Sequence, residues 1–254
     1  MKKALALWAL CLSIANHTLA QLESPEERSI YKIPTKLLAG EGLKATKPAD
    51  SSRVAHQKRV YDGKDIAIYM VAIGTGITNE FESFPMEEFI FWMNGKAVVE
   101  PANEASFEVH SGDFFVQAKG FRGKWNFVDN GGLHLELALI AKNRPDSTVK
   151  SPISKALVID RDILSGVFRP TNGTIYQGAE LTVNVLTELE QFEKVSQERM
   201  IHVLSGVLTV TTEDRSEYEF FPGDFFIVSE NIEGSWGSSS LQDLRVLEVY
   251  KTKN

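Results

Sequence analysis

Apolar residues along this chain fall into short runs separated by turn residues, with almost no helical period. The runs are Ile66 to Ile73, Glu88 to Met93, Ala97 to Val99, Leu133 to Ile140, Leu181 to Leu186, Met200 to Leu204, Val207 to Val210 and Leu244 to Tyr250. They are rich in β-branched and aromatic residues and bounded by Gly, Asn and Pro, which reads as strands. Asn94-Gly95 and Ser205-Gly206 each lie between two runs and predict hairpins, since Asn-Gly suits positive φ. Residues 41 to 58 carry turn residues without a period and read as a long surface loop. Only Asp160 to Leu164 suggests a helical turn. Many short strands at regular spacing predict an all-β sandwich or barrel.

The pattern occurs twice. Gly112 to Trp125 and Gly223 to Trp236 are displaced by 111 residues, and six of their fourteen positions are identical: Gly, Asp, Phe, Phe, then Gly and Trp. Tyr61-Asp62-Gly63 matches Tyr176-Gln177-Gly178, Phe81-Glu82 matches Phe192-Glu193, and Ile33, Leu37, Leu38 and Gly40 match Ile159, Ile163, Leu164 and Gly166. A duplicated module is the economical reading, with two tandem barrels at 21–145 and 146–254. The polar stretch Asn143 to Pro152 reads as the linker.

The first twenty residues stand apart. Met1-Lys2-Lys3, an apolar run from Ala4 to Ala15, and Thr18-Leu19-Ala20 have the three parts of a secretory signal peptide. The run is shorter than the roughly 20 residues a membrane helix needs. The expected product is periplasmic or secreted, without membrane insertion, and starts near Gln21. Losing the leader removes Cys11, the only cysteine, so no disulfide is expected. It also removes Lys2 and Lys3, taking the formal charge from −7 to −9. A dispersed acidic surface argues against nucleic acid, whose affinity rests on cations contacting phosphate.

Glu88, seven residues before Gly95, followed by Gly112-Asp113 and then Gly120-Phe121, Gly123 and Trp125, resembles the cupin superfamily. The second stretch is similar to the ureidoglycine aminohydrolase-type branch, and because both halves carry the pattern the chain resembles a bicupin. The resemblance implies two double-stranded β-helix (jelly-roll) barrels, each with an open end holding a site, and pairing of barrels, either as a homodimer or within one chain. It also implies a divalent metal held by three histidines and a glutamate. Here the paired-histidine positions fall on Phe81 to Phe84 and the last histidine on Gly123, leaving only Glu88. In the second barrel Arg199 replaces the glutamate, Gly234 replaces the last histidine, and Phe192 to Val195 contain no histidine. Neither barrel keeps the family's metal set, so no cofactor is expected, with a divalent metal as the alternative.

Other residues offer some chemistry. Strand alternation puts Glu88, Ile90 and Trp92 on one face, which the resemblance makes the barrel interior, with Trp125 at its mouth. A partly desolvated Glu88 suits an acid or base, while the alternative is pairing with Lys124 or Arg122. His134 and Glu136 share a face, either inward beside Glu88 or toward solvent. Arg199 points inward and suits an acidic ligand, or an internal carboxylate such as Glu193 or Glu198. His202 reads as a packed histidine, His56 as solvated and His110 as part of a turn. The leading functional expectation is a metal-free, exported bicupin that binds a small organic molecule, acids included, through Trp92, Trp125, His134 and Arg199. An isomerase, lyase or amidohydrolase using Glu88, and a purely structural bicupin, are the alternatives.

Overall fold

The computed structural model describes residues 30–46, 55–129, 131–143, 156–166, 172–188, 197–213, 215–230, 232, 234–239 and 243–253. The expected leader and most of the expected linker, including the 145/146 boundary, lie outside the described residues. Strands dominate what is described, in two pairs of sheets. In the first half a seven-stranded sheet runs β12 (Leu157–Val158), β9 (Phe114–Gln117), β6 (Glu88–Asn94), β11 (Leu133–Ala141), β4 (Ile66–Gly74), β3 (Ala55–Asp62), β2 (Lys44–Thr46). Against it lies a four-stranded sheet, β5 (Thr78–Phe81), β10 (Gly123–Phe127), β7 (Lys96–Pro101), β8 (Phe107–His110). The second half repeats the plan. Its six-stranded sheet is β1 (Ile30–Lys32), β18 (Phe225–Val228), β15 (Arg199–Ser205), β20 (Arg245–Lys251), β14 (Leu181–Leu186), β13 (Gly173–Gln177). Its three-stranded sheet is β17 (Glu217–Phe220), β16 (Leu208–Thr212), β19 (Gly234–Ser238). These are two tandem jelly-roll barrels, as the duplicated pattern predicts.

Three hydrophobic cores follow from strand alternation. Trp92, Phe115, Trp125 and Phe127 fill the first barrel, and Ile201, Val210, Phe226 and Trp236 fill the second. The third core draws on both halves: Met70, Phe89, Phe114 and Leu137 meet Val183, Met200, Phe225 and Leu247. The two large sheets therefore pack on each other through faces that a lone barrel would leave bare. The repeated Phe-Phe is thus divided by alternation, with Phe114 and Phe225 facing the partner barrel and Phe115 and Phe226 facing inward. It also explains β4, whose residues from Ile66 to Ile73 are all buried because the strand has a core on each face.

The segments leading into each barrel cross over. Strand β1 pairs with β18 of the second barrel (Ile30 opposite Val228), and β12 pairs with β9 of the first (Leu157 opposite Val116). Each is followed by a short helix, α1 (Thr35–Leu38) or α2 (Arg161–Ser165). The helical turn expected at Asp160 is α2: the Asp160 side chain accepts from Asp162 N at 2.8 Å, and Gly166 ends the helix at φ 71. The matched pairs Ile33/Ile159 and Leu38/Leu164 are the apolar anchors of these exchanged arms in the shared core.

Two expectations need correction. Asn94-Gly95 and Ser205-Gly206 do not form hairpins. Strand β6 pairs with β9 and β11, whereas β7 pairs with β10 and β8, so the chain at Gly95 passes from one sheet to the other. Positive φ is still required there (99 at Gly95, 75 at Gly206), and at Gly206 a Cβ would lie 2.9 Å from Leu244 Cα. The reason is closure of the barrel, a nonlocal demand that turn chemistry does not reveal. The supposed loop at 41–58 contains β2 and the start of β3. Lys44 lies opposite Gln57 and Ala55 opposite Ile73, because the edge of β4 needs hydrogen-bonding partners even where the added strand is polar. His56 is accordingly a half-buried strand residue rather than a solvated loop residue.

Candidate functional site

Glu88 opens β6, and the residue before it holds that strand in place. The Glu87 carboxylate is fully buried and accepts three backbone N–H bonds from the other barrel: Ala179 at 2.8 Å, Glu180 at 2.9 Å and Leu181 at 2.9 Å. In return Glu180 accepts from Glu87 N at 3.0 Å and from Lys119 Nζ at 2.9 Å. The second half mirrors this. Glu198, just before Arg199, accepts from Lys64 N (3.3 Å), Asp65 N (2.8 Å), Ile66 N (2.9 Å) and the Tyr61 hydroxyl. The carboxylates lie so close to the facing turns that a Cβ on Gly63 would sit 1.8 Å from Glu198, and one on Gly178 2.1 Å from Glu87. The matched Tyr-x-Gly segments are therefore receptors for a glutamate from the opposite barrel.

With β6 so anchored, Glu88, Ile90 and Trp92 face the first barrel's interior, as expected, and all three are buried. Strand β9 brings Gln117 opposite Glu88, and β11 brings Glu136 opposite Trp92. Trp125 stacks on Trp92 at 5.6 Å and meets Phe115 edge-on at 4.8 Å. The solvent-facing alternative for His134 and Glu136 is overturned, since both are buried. His134 lies 3.7 Å from Trp92 between ring centroids, with Nδ1 2.9 Å from Asn94 O and Nε2 2.7 Å from Glu136 Oε2. The Asn94 carbonyl only accepts, so Nδ1 carries a hydrogen.

Asn79, Phe81, Phe84, Glu88, Ile90, Gln117, Trp125, Phe127 and Glu136 enclose a chamber of about 20 Å3. That is space for about one water molecule. Gln117 is 1% exposed, and among the described residues neither its Nε2 nor its Oε1 has a hydrogen-bond partner; the indole N–H groups of Trp92 and Trp125 are also without one. Outside, next to Phe81, an open cleft of about 480 Å3 is lined by Glu80, Glu82, Glu100, Arg122 and Lys124. Lys124 faces outward to Glu80 at 3.7 Å, so alternation takes it away from Glu88.

In the second barrel Arg199 points inward as expected, but its carboxylate partner is Glu248, on β20. Glu198 is committed to the clamp, and Glu193 lies outside the described residues. Glu248 also accepts from Asn184 Nδ2 at 2.8 Å, and the Arg199 guanidinium lies 5.8 Å from the Trp236 ring. The guanidinium is thus matched within the protein. His202 is buried among Phe91, Phe114 and Phe225 in the shared core, with Nδ1 3.1 Å from Asp224 O. Burial pushes its pKa down to about 4, against a smaller upward pull from the Asp224 carbonyl.

The donor set fits a divalent metal poorly. Among the described residues no group of three His, Cys, Asp or Glu side chains is placed to hold an ion. Both His134 nitrogens are engaged, and in the second barrel a guanidinium occupies the glutamate position.

The EutQ-like cupin domain matches this sequence twice, at residues 74–130 and 190–241. No curated protein matches it. A protein of unknown function from Pseudomonas syringae pv. tomato is similar in structure, with a TM-score of 0.54 and 15% identity over 88% of this chain and 99% of its own. The putative glyoxylate induced protein of Pseudomonas aeruginosa gives 0.55 and 12% over 89% and 90%. Streptomyces albus HEPD, solved with 2-hydroxyethylphosphonate and Fe(II), gives 0.54 and 7% over 91% and 77%. At these identities the likeness is one of fold. One EutQ-like cupin domain match falls in each half, and each lies on one of the two jelly-roll barrels.

Proposed function

We propose that this chain is an exported, metal-independent bicupin that holds a small organic molecule in its first barrel. The observation that carries the reading is Gln117, a buried amide with both ends unpartnered, lining a chamber beside Glu88 and Glu136. A buried polar group without a partner costs about 1–3 kcal/mol, so a barrel that only needed filling would favour an apolar residue there. The second copy has one: Val228 occupies the equivalent position. The leader supports export, and the poor donor set supports independence from metal.

Protein purified without chelator is expected to lack stoichiometric Mn, Fe, Ni or Zn by elemental analysis. Stoichiometric metal that disappears in Glu88→Ala would overturn metal independence. Binding is read from tryptophan fluorescence, since Trp125 lines the chamber and Trp92 stacks on it. A saturable change is expected with some member of a library of small acids, sugars and amides, and silence throughout favours the structural role. Glu88 as an acid or base in an isomerase, lyase or amidohydrolase is the second reading, favoured by its place among aromatic walls.

A further inference from the structure

We infer that the ligand is a neutral polyhydroxylated molecule of sugar size, lying in the outer cleft with one hydroxyl inserted past Phe81 into the chamber. The inference rests on the small-molecule reading above and names its chemical class. Phe81 forms part of the wall of both spaces, so its ring is the partition between them. It is half-buried and meets its aromatic neighbours edge-on, 5.3 Å from Phe84 and 6.5 Å from Phe121 between centroids.

Size separates the two compartments. The cleft, at about 480 Å3, is within the range of small-molecule sites, roughly 300–1,000 Å3. The chamber, at about 20 Å3, accepts a group no larger than a hydroxyl. The unpartnered atoms then select among groups of that size. Gln117 Nε2 and Trp125 Nε1 need an acceptor, while Gln117 Oε1 needs a donor. An ammonium group only donates and an ionised carboxylate only accepts, whereas a hydroxyl does both. In the cleft, Glu80, Glu82 and Glu100 accept from hydroxyls and Arg122 and Lys124 donate to them. Three acids against two bases leave no excess of positive charge to hold a sugar acid.

The test is a titration of the mature chain with glucose, galactose and mannose, and with glucuronate and glucosamine as charged counterparts of the same size, followed by calorimetry and tryptophan fluorescence. At least one neutral hexose is expected to bind tenfold or more tightly than glucuronate and more tightly than glucosamine. Gln117→Leu should weaken it about tenfold or more, since the inserted hydroxyl loses two partners. Phe81→Trp should block the partition and abolish the fluorescence change. Preference for glucuronate or glucosamine, lost in Gln117→Leu, overturns the neutral class and leaves the small-molecule reading intact. Hexose binding unaffected by Gln117→Leu or Phe81→Trp overturns the two-compartment site. Silence from all five compounds overturns this inference, and silence from the wider library as well overturns both.

Discussion

Glu87→Ala is expected to destabilise the protein by about 4 kcal/mol, the largest effect of any single truncation at the junction between the barrels. The carboxylate is fully buried and accepts from three consecutive backbone N–H groups, those of Ala179, Glu180 and Leu181. Its removal strands those donors where water does not reach, and an unsatisfied buried donor costs about 1–3 kcal/mol. Breaking a buried charged contact from one side typically costs about 3–5 kcal/mol. Gly178→Ala attacks the same contact from the turn, because its Cβ would lie 2.1 Å from the carboxylate while the backbone on both sides is committed to the clamp. The two changes should be far from additive, since either one empties the same site. Glu230→Ala, which removes only the exposed Lys64–Glu230 pair, should leave stability close to wild type. Guanidinium titrations at constant m would show these differences as shifts in midpoint. A Glu87→Ala midpoint as close to wild type as that of Glu230→Ala would remove the clamp from the account of stability.

The clamp also marks how far the sequence could be read. Repetition of Gly-Asp-Phe-Phe was enough for two β barrels, and period-two alternation put Glu88, Ile90 and Trp92 on the inward face where they are found. Those signals are local. The recurrences Glu87/Glu198 and Gly63/Gly178 were equally visible, but their meaning depends on contacts more than 90 residues apart in the chain. For the same reason Arg199 could be placed inward but not paired. Its partner Glu248 arrives from the last strand, while the nearer Glu198 is used by the other barrel. The exchanged arms were seen as matched anchors, Ile33 with Ile159, without a destination, because two or three residues of strand carry no address. Gln117 was the missed signal at the site. Comparison of the copies puts it against Val228, the one inward position after the paired phenylalanines where the first barrel became polar.

Acidification from pH 6.5 to pH 4 is expected to remove about 3 kcal/mol of stability through His202 alone. In the folded chain the imidazole lies among Phe91, Phe114 and Phe225, and desolvation lowers its pKa from 6.5 to about 4. The unfolded chain therefore binds this proton first. Stability contributed by the neutral ring is complete above pH 6.5, falls as pH drops through the window, and is gone below about pH 4; each pH unit between the two values is worth about 1.4 kcal/mol. The other charges at this point do not offset the loss. The Asp224 backbone carbonyl already accepts from Nδ1, and the Asp224 carboxylate is held by Lys32 Nζ at 2.6 Å and Phe221 N at 2.8 Å. His202→Phe supplies the control, because phenylalanine is what the first copy carries at the equivalent position, Phe91. Denaturant midpoints measured from pH 7 to pH 4 should fall more steeply for wild type than for the variant, the difference opening between pH 6.5 and pH 4. Parallel curves would mean that the ring stays solvated enough to protonate in place. Because His202 sits on the face shared by the two large sheets, the same proton that destabilises the fold acts where the barrels meet, so separation of the barrels should precede loss of their separate interiors.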